Sequence, residues 1–279
     1  MGKVNHYVAR AADARGHVRY TEDENRIWAE LYARQEPAIR GKACDEFVHG
    51  LDLLQLPRDR VPQLGEVSRM LQRETGWQIA PVPALIPLDE FFALLAQKRF
   101  PAATFVRRRD EMKYLKEPDI FHEMFGHTPM LTNRYFAEFT HAYGKLGLSA
   151  NAQDREFLGR LYWFTVEFGL IGALDAPASL RIYGGGILSS IGETAYALGG
   201  QPRRHRFKLL DVLRTPYRIN IMQPLYYVIE DFRELFELAR GDLLASMAQA
   251  RRLGLHAPLF EPDAADAPPP RSMPRASSA

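Results

Sequence analysis

The chain has 279 residues, 46% hydrophobic and 25% charged, with a formal net charge of +2, values that suit a globular protein and are too mild to argue for nucleic-acid binding. A single cysteine, Cys44, excludes an intrachain disulfide framework and cysteine-based zinc or iron–sulfur sites, which fits a reducing cytoplasm. No charged leader with an apolar core opens the sequence and no run approaches the ~18 apolar residues of a membrane span, so a cytoplasmic protein without membrane contact is expected.

Residues 1–20 mix Gly, Ala, Arg and His without periodicity, which predicts a flexible N-terminal arm. Ile27, Trp28, Leu31 and Tyr32 recur at helical spacing, so a helix is expected over 24–35, stopping near Pro37, and a second over 37–54. Further helices are expected over 61–75, 88–97, 117–125, 133–146, 154–171, 191–197 and 225–251. Pro87 and the carboxylates of Asp89 and Glu90 favour a helix start at 88. Strands are expected only over 100–107, 181–183 and 217–221, while 77–83 reads as extended and proline-broken. The basic cluster at 202–208 reads as a solvated loop. Residues 259–279 are rich in Pro, Ala and Ser, cannot bury enough surface to offset ordering, and predict a disordered tail. The expected fold class is mainly α (α+β with a few short strands), as a single domain over 21–258.

Two segments carry chemistry: Pro118-Asp-Ile-Phe-His-Glu-Met-Phe-Gly-His127 and Tyr162-Trp-Phe-Thr-Val-Glu-Phe-Gly169. They contribute two imidazoles and one carboxylate, the ligand set of non-haem Fe(II) oxygenases. His122 and His127 are five residues apart, a rotation of about 140° and a rise of about 7.5 Å on a regular α-helix. They converge only if the helix ends or unwinds between them, and Gly126 and Pro129 are the residues expected to end it. The zinc-peptidase motif places its histidines four apart on one face, so the spacing argues against that class, although Glu123 resembles its general base. Glu167 lies in a helix that is apolar almost all round. Burying an ionised carboxylate there costs on the order of 3 kcal/mol unless a cation or strong donors compensate. Local pattern leaves two readings open: a metal centre, or core histidines beside an ion-paired glutamate. His6, His17, His49, His141, His205 and His256 have no comparable setting and read as structural.

At these residues the chain resembles the tetrahydropterin-dependent aromatic amino acid hydroxylases, most closely their bacterial, phenylalanine-hydroxylating branch. The resemblance spans roughly 76–238 and includes Tyr183-Gly-Gly-Gly-Ile-Leu-Ser-Ser190 and Gln223-Pro-Leu-Tyr-Tyr-Val228. It implies Fe(II) held by His122, His127 and Glu167. It implies that Arg107 pairs with the substrate carboxylate, a task suited to a planar guanidinium. Pro118, Trp163, Phe168, Gly186 and Ser189 match its substrate pocket. Phe91 matches a ring that stacks on the pterin, Ala84, Leu85 and Ile86 match the backbone that binds it, and Glu123 and Tyr162 match residues near its reacting edge. By pattern alone, Arg107 belongs to a solvated run of three arginines, and Trp163 and Phe168 to a packed helix. Leu115 and Pro101 depart from the animal enzymes, which carry threonine and histidine there.

The implied reaction converts L-phenylalanine to L-tyrosine with O2 and a reduced pterin, either tetrahydrobiopterin or a bacterial equivalent, in phenylalanine catabolism or tyrosine supply. Other enzymes would recycle the released pterin. Trp163 and the apolar Ile219 favour phenylalanine, with discrimination against tryptophan and tyrosine that need not be large. No regulatory domain is expected before the catalytic region and no heptad-patterned coiled coil after it, which predicts a monomer without allostery. Two other classes compete: a zinc hydrolase with Glu123 as base, and a non-catalytic pterin or metal binder.

Overall fold

Thr21 starts the first helix, α1 (Glu22–Ile39). Its hydroxyl accepts from the Glu24 amide at 3.2 Å while the Glu24 carboxylate accepts from the Thr21 amide at 2.7 Å, a reciprocal cap that satisfies two otherwise free donors. The computed structural model describes residues 7, 9–13, 16–112 and 117–261; Leu115 and most of the 259–279 tail therefore lie outside the described residues. Contrary to expectation, α1 runs through Pro37, because its buried face continues in register from Gln35 to Ile39. The single helix expected over 37–54 is broken. Gly41 takes φ +71°, and the segment after it pairs with a strand instead, Cys44 N donating to Ile182 O and Ile182 N to Lys42 O. The chain then re-enters helix as α2 (Asp45–Leu54), followed by α3 (Leu64–Glu74).

β1 (Gln78–Val82), α4 (Leu88–Ala96) and β2 (Arg99–Ala103) form a parallel β–α–β unit. After the turn that carries His122 and His127 come α5 (Arg134–Ser149) and α6 (Ala152–Tyr162). β3 (Leu170–Ile171), β4 (Arg181–Ile182), α7 (Gly185–Leu188), α8 (Ile191–Ala197), β5 (Arg203–Arg206), α9 (Leu209–Arg214), β6 (Leu225–Ile229), α10 (Phe232–Arg240) and α11 (Leu243–Leu253) complete the described chain. The second sheet has the order β4-β3-β6-β5, with β6 parallel to both neighbours.

Three expectations fail here for physical reasons. Residues 225–229 are strand rather than helix, because a run buried on both faces has no alternation to distinguish it. The basic cluster is indeed solvated but forms β5, a sheet edge whose charges discourage further pairing. Residues 217–221 form a turn rather than a strand. The described N-terminal residues are docked rather than loose. Tyr7 stacks on Phe105 with centroids 4.3 Å apart, Arg10 pairs with Glu24 at 2.7 Å, and Val18 exchanges two hydrogen bonds with the Gln63 side chain. These partners are distant in sequence, so local periodicity carries no trace of them. Among the described residues no helix is long and apolar enough to cross a membrane.

Candidate metal centre

Both ligand-bearing segments leave α-geometry. His122–His127 and Trp163–Glu167 are π-turns, with Thr128 N donating to Glu123 O at 3.2 Å and Phe168 N to Trp163 O at 2.9 Å. An i→i+5 ladder brings residues five apart onto one face, which is what the His122/His127 spacing requires. Thr128 and Thr165 each turn a hydroxyl back to the carbonyl four residues earlier, those of Met124 and Leu161, at 2.5 Å. Such side-chain bonds serve carbonyls where the ladder changes register. The helix unwinds, as the spacing demanded, but Gly126 and Pro129 do not end it. Pro129 keeps helical angles of φ −59° and ψ −40°. Gly126 is needed for close approach, since a Cβ there would lie 2.6 Å from Gly185 O.

The three ligand atoms converge. His127 Nε2 lies 2.9 Å from His122 Nε2 and 3.3 Å from Glu167 Oε1, and His122 Nε2 lies 3.7 Å from Glu167 Oε2. Bonds of about 2.1 Å at right angles put neighbouring ligand atoms about 3 Å apart, so a small divalent ion fits among them. The glycine run behind them sets this spacing. A Cβ on Gly185 would meet the His127 ring at 2.4 Å, and one on Gly186 would meet Glu167 Oε2 at 2.9 Å. Phe100 of β2 packs against the His127 ring at 5.4 Å.

Ser189 orients the first ligand. Its hydroxyl lies 2.9 Å from His122 Nδ1 and can donate to Gly186 O at 3.5 Å. Nδ1 is then the protonated nitrogen, which leaves the Nε2 lone pair for a metal. Burial pushes His122 down to about 4, so it is neutral without metal. Burial alone would also depress His127, but the adjacent Glu167 carboxylate more than offsets it and holds the imidazole above its ordinary value. Glu167 is correspondingly held below the usual carboxylate range, because His127 and His122 outweigh its burial.

Glu123 is a second carboxylate here, with an oxygen within 4.8 Å of ligand nitrogens of both histidines. Burial, reinforced by the charge of Glu167, pushes it up to about 8, so it is neutral near pH 7. Glu167 is the charged one, with its two oxygens 3.3 Å from His127 Nε2 and 3.7 Å from His122 Nε2.

Arg107 is buried rather than part of a solvated edge, unlike Arg108 and Arg109 beside it. Asp119 holds it bidentately, Nε to Oδ2 at 2.9 Å and Nη2 to Oδ1 at 2.8 Å, leaving the Nη1 edge for another anion. Asp119 Oδ1 also accepts the His122 amide at 3.1 Å, so one carboxylate ties the arginine to the first histidine of the candidate centre. Trp163 lies 4.5 Å from Phe168 and 4.7 Å from Tyr217 by ring centroids. Trp163 and Phe168 are another i,i+5 pair brought together by the second π-turn. Pro118 immediately precedes Asp119 and is partly exposed.

On the other flank, Phe91 of α4 meets the Tyr162 ring edge-on at 5.5 Å. Burial and the charges of Glu167 and Glu123 raise the Tyr162 phenol well above its ordinary value. In the β1–α4 connection Ala84 is buried and Ile86 partly so, whereas Leu85 is 69% exposed, which suits a backbone-facing role better than a core one.

The model of the biopterin-dependent aromatic amino acid hydroxylases matches residues 5–246. The chain belongs to that family. It is 54% identical over 260 residues to phenylalanine-4-hydroxylase of Pseudomonas aeruginosa, covering 93% of this chain and 98% of that one. The apo structure of the cold-active phenylalanine hydroxylase from Colwellia psychrerythraea superposes with TM-score 0.87 at 54% identity, covering 90% of this chain and 97% of that one. The Chromobacterium violaceum enzyme, solved with bound iron(III) and oxidised 7,8-dihydrobiopterin, gives TM-score 0.78 at 44% identity over 86% of this chain and 89% of that one. Asp119, Tyr217 and Gln223 are contacts to which sequence reading gives no role, although Asp119 and Gln223 both lie in the motifs quoted above.

Proposed function

We propose that this chain is a phenylalanine 4-monooxygenase that uses Fe(II), O2 and a tetrahydropterin to make tyrosine, and that His122, His127 and Glu167 hold the iron. The convergence of two imidazoles and one ionised carboxylate within 2.9–3.7 Å of one another carries this reading. When bound, iron and reduced pterin supply the activation of dioxygen that no protein side chain can supply. The chain's own groups bind, orient and hold protons. The Nη1 edge of Arg107 takes the amino acid's carboxylate, and Asp119 keeps that guanidinium from turning away. Trp163, Phe168 and Pro118 give the phenyl ring an apolar wall, with Gly186 and Ser189 closing the side nearest the metal ligands. Phe91 offers a flat face to the pterin, which lies along the backbone of Ala84, Leu85 and Ile86. Glu123 and Tyr162, both protonated near pH 7 before metal binds, present hydrogen-bond donors toward it.

The zinc-hydrolase alternative is disfavoured by the geometry of the histidine pair, which is five residues apart on a π-turn and not four apart on one face of a regular helix as in the zinc-peptidase motif. The catalytic unit is taken as residues 21–258, acting in the cytoplasm as a monomer and passing spent pterin to recycling enzymes. The deciding assay mixes phenylalanine, a tetrahydropterin and ferrous iron, then follows tyrosine against oxygen consumed. Tyrosine equal to most of the oxygen is expected; iron-loaded protein that forms none would refute the proposal.

A further inference from the structure

The motif that begins at Gln223 has no part in the chemistry above, yet its first side chain is 1% exposed and polar. Its carboxamide makes three hydrogen bonds. Oε1 accepts from the Trp163 indole Nε1 at 3.0 Å, while Nε2 donates to the carbonyls of Arg218 at 3.0 Å and Ile221 at 2.8 Å. The chemistry of the partners permits one orientation only, because an indole N–H only donates and a carbonyl only accepts. The turn over 215–222 is therefore folded around this amide, and the same turn carries Tyr217, which stacks on Trp163 with planes 22° apart. The turn is also tied at Thr215, whose hydroxyl lies 2.7 Å from that of Tyr227, and at Arg218, which donates to Asn220 Oδ1 at 2.7 Å, while Ile219 is 67% and Met222 44% exposed. Gln223 is itself firmly placed, since β6 begins two residues later and all five of its residues are buried.

We infer that Gln223 is a positioning residue for the substrate ring: through one amide it fixes the Trp163 indole and closes the 215–222 turn against it. This rests on the placement of Trp163 in the substrate pocket proposed above. A buried amide that merely satisfied an indole N–H would need one bond, whereas this one uses its acceptor on the pocket wall and both donors on the adjoining turn. The indole and Tyr217 then move as a unit, and the pocket keeps its width between turnovers.

The test is a double-mutant cycle on iron-loaded protein with Gln223→Met, Trp163→Phe and the pair. The readouts are KM and kcat for phenylalanine, calorimetric binding of phenylalanine, the phenylalanine-to-tryptophan preference, and iron content. Gln223→Met is expected to raise KM about three- to tenfold, the factor commonly lost with one buried hydrogen bond, with kcat within about twofold and iron unchanged. With Trp163→Phe already present, the same change should raise KM by a smaller factor than it does in the wild type, because the indole donor is gone and only the two donations to the turn are lost. Effects that multiply in full would overturn the inference, since Gln223 would then act through the fold and not through the indole. Should Gln223→Met fail to fold, Gln223→Glu keeps the acceptor and loses both donations. It should still raise KM, and an unchanged KM overturns the inference. Trp163→Ala separates the two claims. If it leaves KM unchanged, the pocket assignment falls and the inference with it. If it raises KM while Gln223→Met does not, only the inference falls.

Discussion

Glu167 and Glu123 both reach the two imidazoles, and their surroundings give them opposite charge states. Glu167 gains from His127 and His122 more than it loses by burial, whereas Glu123 has burial and a neighbouring negative charge against it. Glu167→Gln should therefore abolish iron retention after desalting, while Glu123→Gln, which copies the neutral acid, should keep about one iron per chain. Metal analysis decides this, and the reverse pattern would exchange the two roles. The protonation of His127 makes a second prediction. Its value is raised in the folded, metal-free protein, so iron must displace a proton from it, whereas His122 at about 4 and the depressed Glu167 have none to give near pH 7. The logarithm of ferrous-ion affinity should rise by about one per pH unit below the His127 value and flatten above it. Titrations in buffers of different ionisation enthalpy measure the released proton, and a count near zero at pH 6 contradicts the assignment.

At the level of elements, the site depends on two π-turns facing a glycine run. The five-residue spacing of His122 and His127 was enough to exclude a regular helix, and the lone carboxylate in an apolar helix was enough to demand a partner. Neither pattern reveals that Trp163–Glu167 also leaves α-geometry. That depends on Gly184, Gly185 and Gly186, which arrive from later in the chain and allow backbone to approach where side chains could not. Gly185→Ala places a methyl 2.4 Å from the His127 ring, far inside contact distance. It should lower iron affinity at least tenfold and destabilise the fold by about 1–3 kcal/mol. Iron titration and urea unfolding check the two separately, and wild-type values in both would show that the run does not set the ligand spacing. Helix starts such as that at Leu88, behind Pro87 and ahead of Asp89 and Glu90, were legible because the signals lie within one turn. Residues 225–229 were not, because a fully buried strand and a buried helix share the same apolar composition.

For the whole molecule, the groups proposed for catalysis come from five separated stretches: 84–91, 107–127, 162–168, 186–189 and 217–223. Parallel strand pairs such as β1–β2 and β3–β6 join distant parts of the chain, and each requires a crossover that local sequence cannot register. The proposed monomer is tested at this scale. Sedimentation should give a mass near 31.8 kDa, independent of phenylalanine concentration, and a phenylalanine-dependent dimer would contradict it.

The sequence by itself determined the candidate ligand types, the irregular turn between the histidines and, through its motifs, the hydroxylase family, because each depends on residues close along the chain. Tertiary structure decided the rest. The Asp119 clamp that lifts Arg107 out of an apparently solvated run forms across twelve residues, and the Gln223 bridge to Trp163 across sixty. Both are buried polar contacts whose cost is offset only when the partner arrives from elsewhere in the fold. No periodicity encodes such a meeting; packing does.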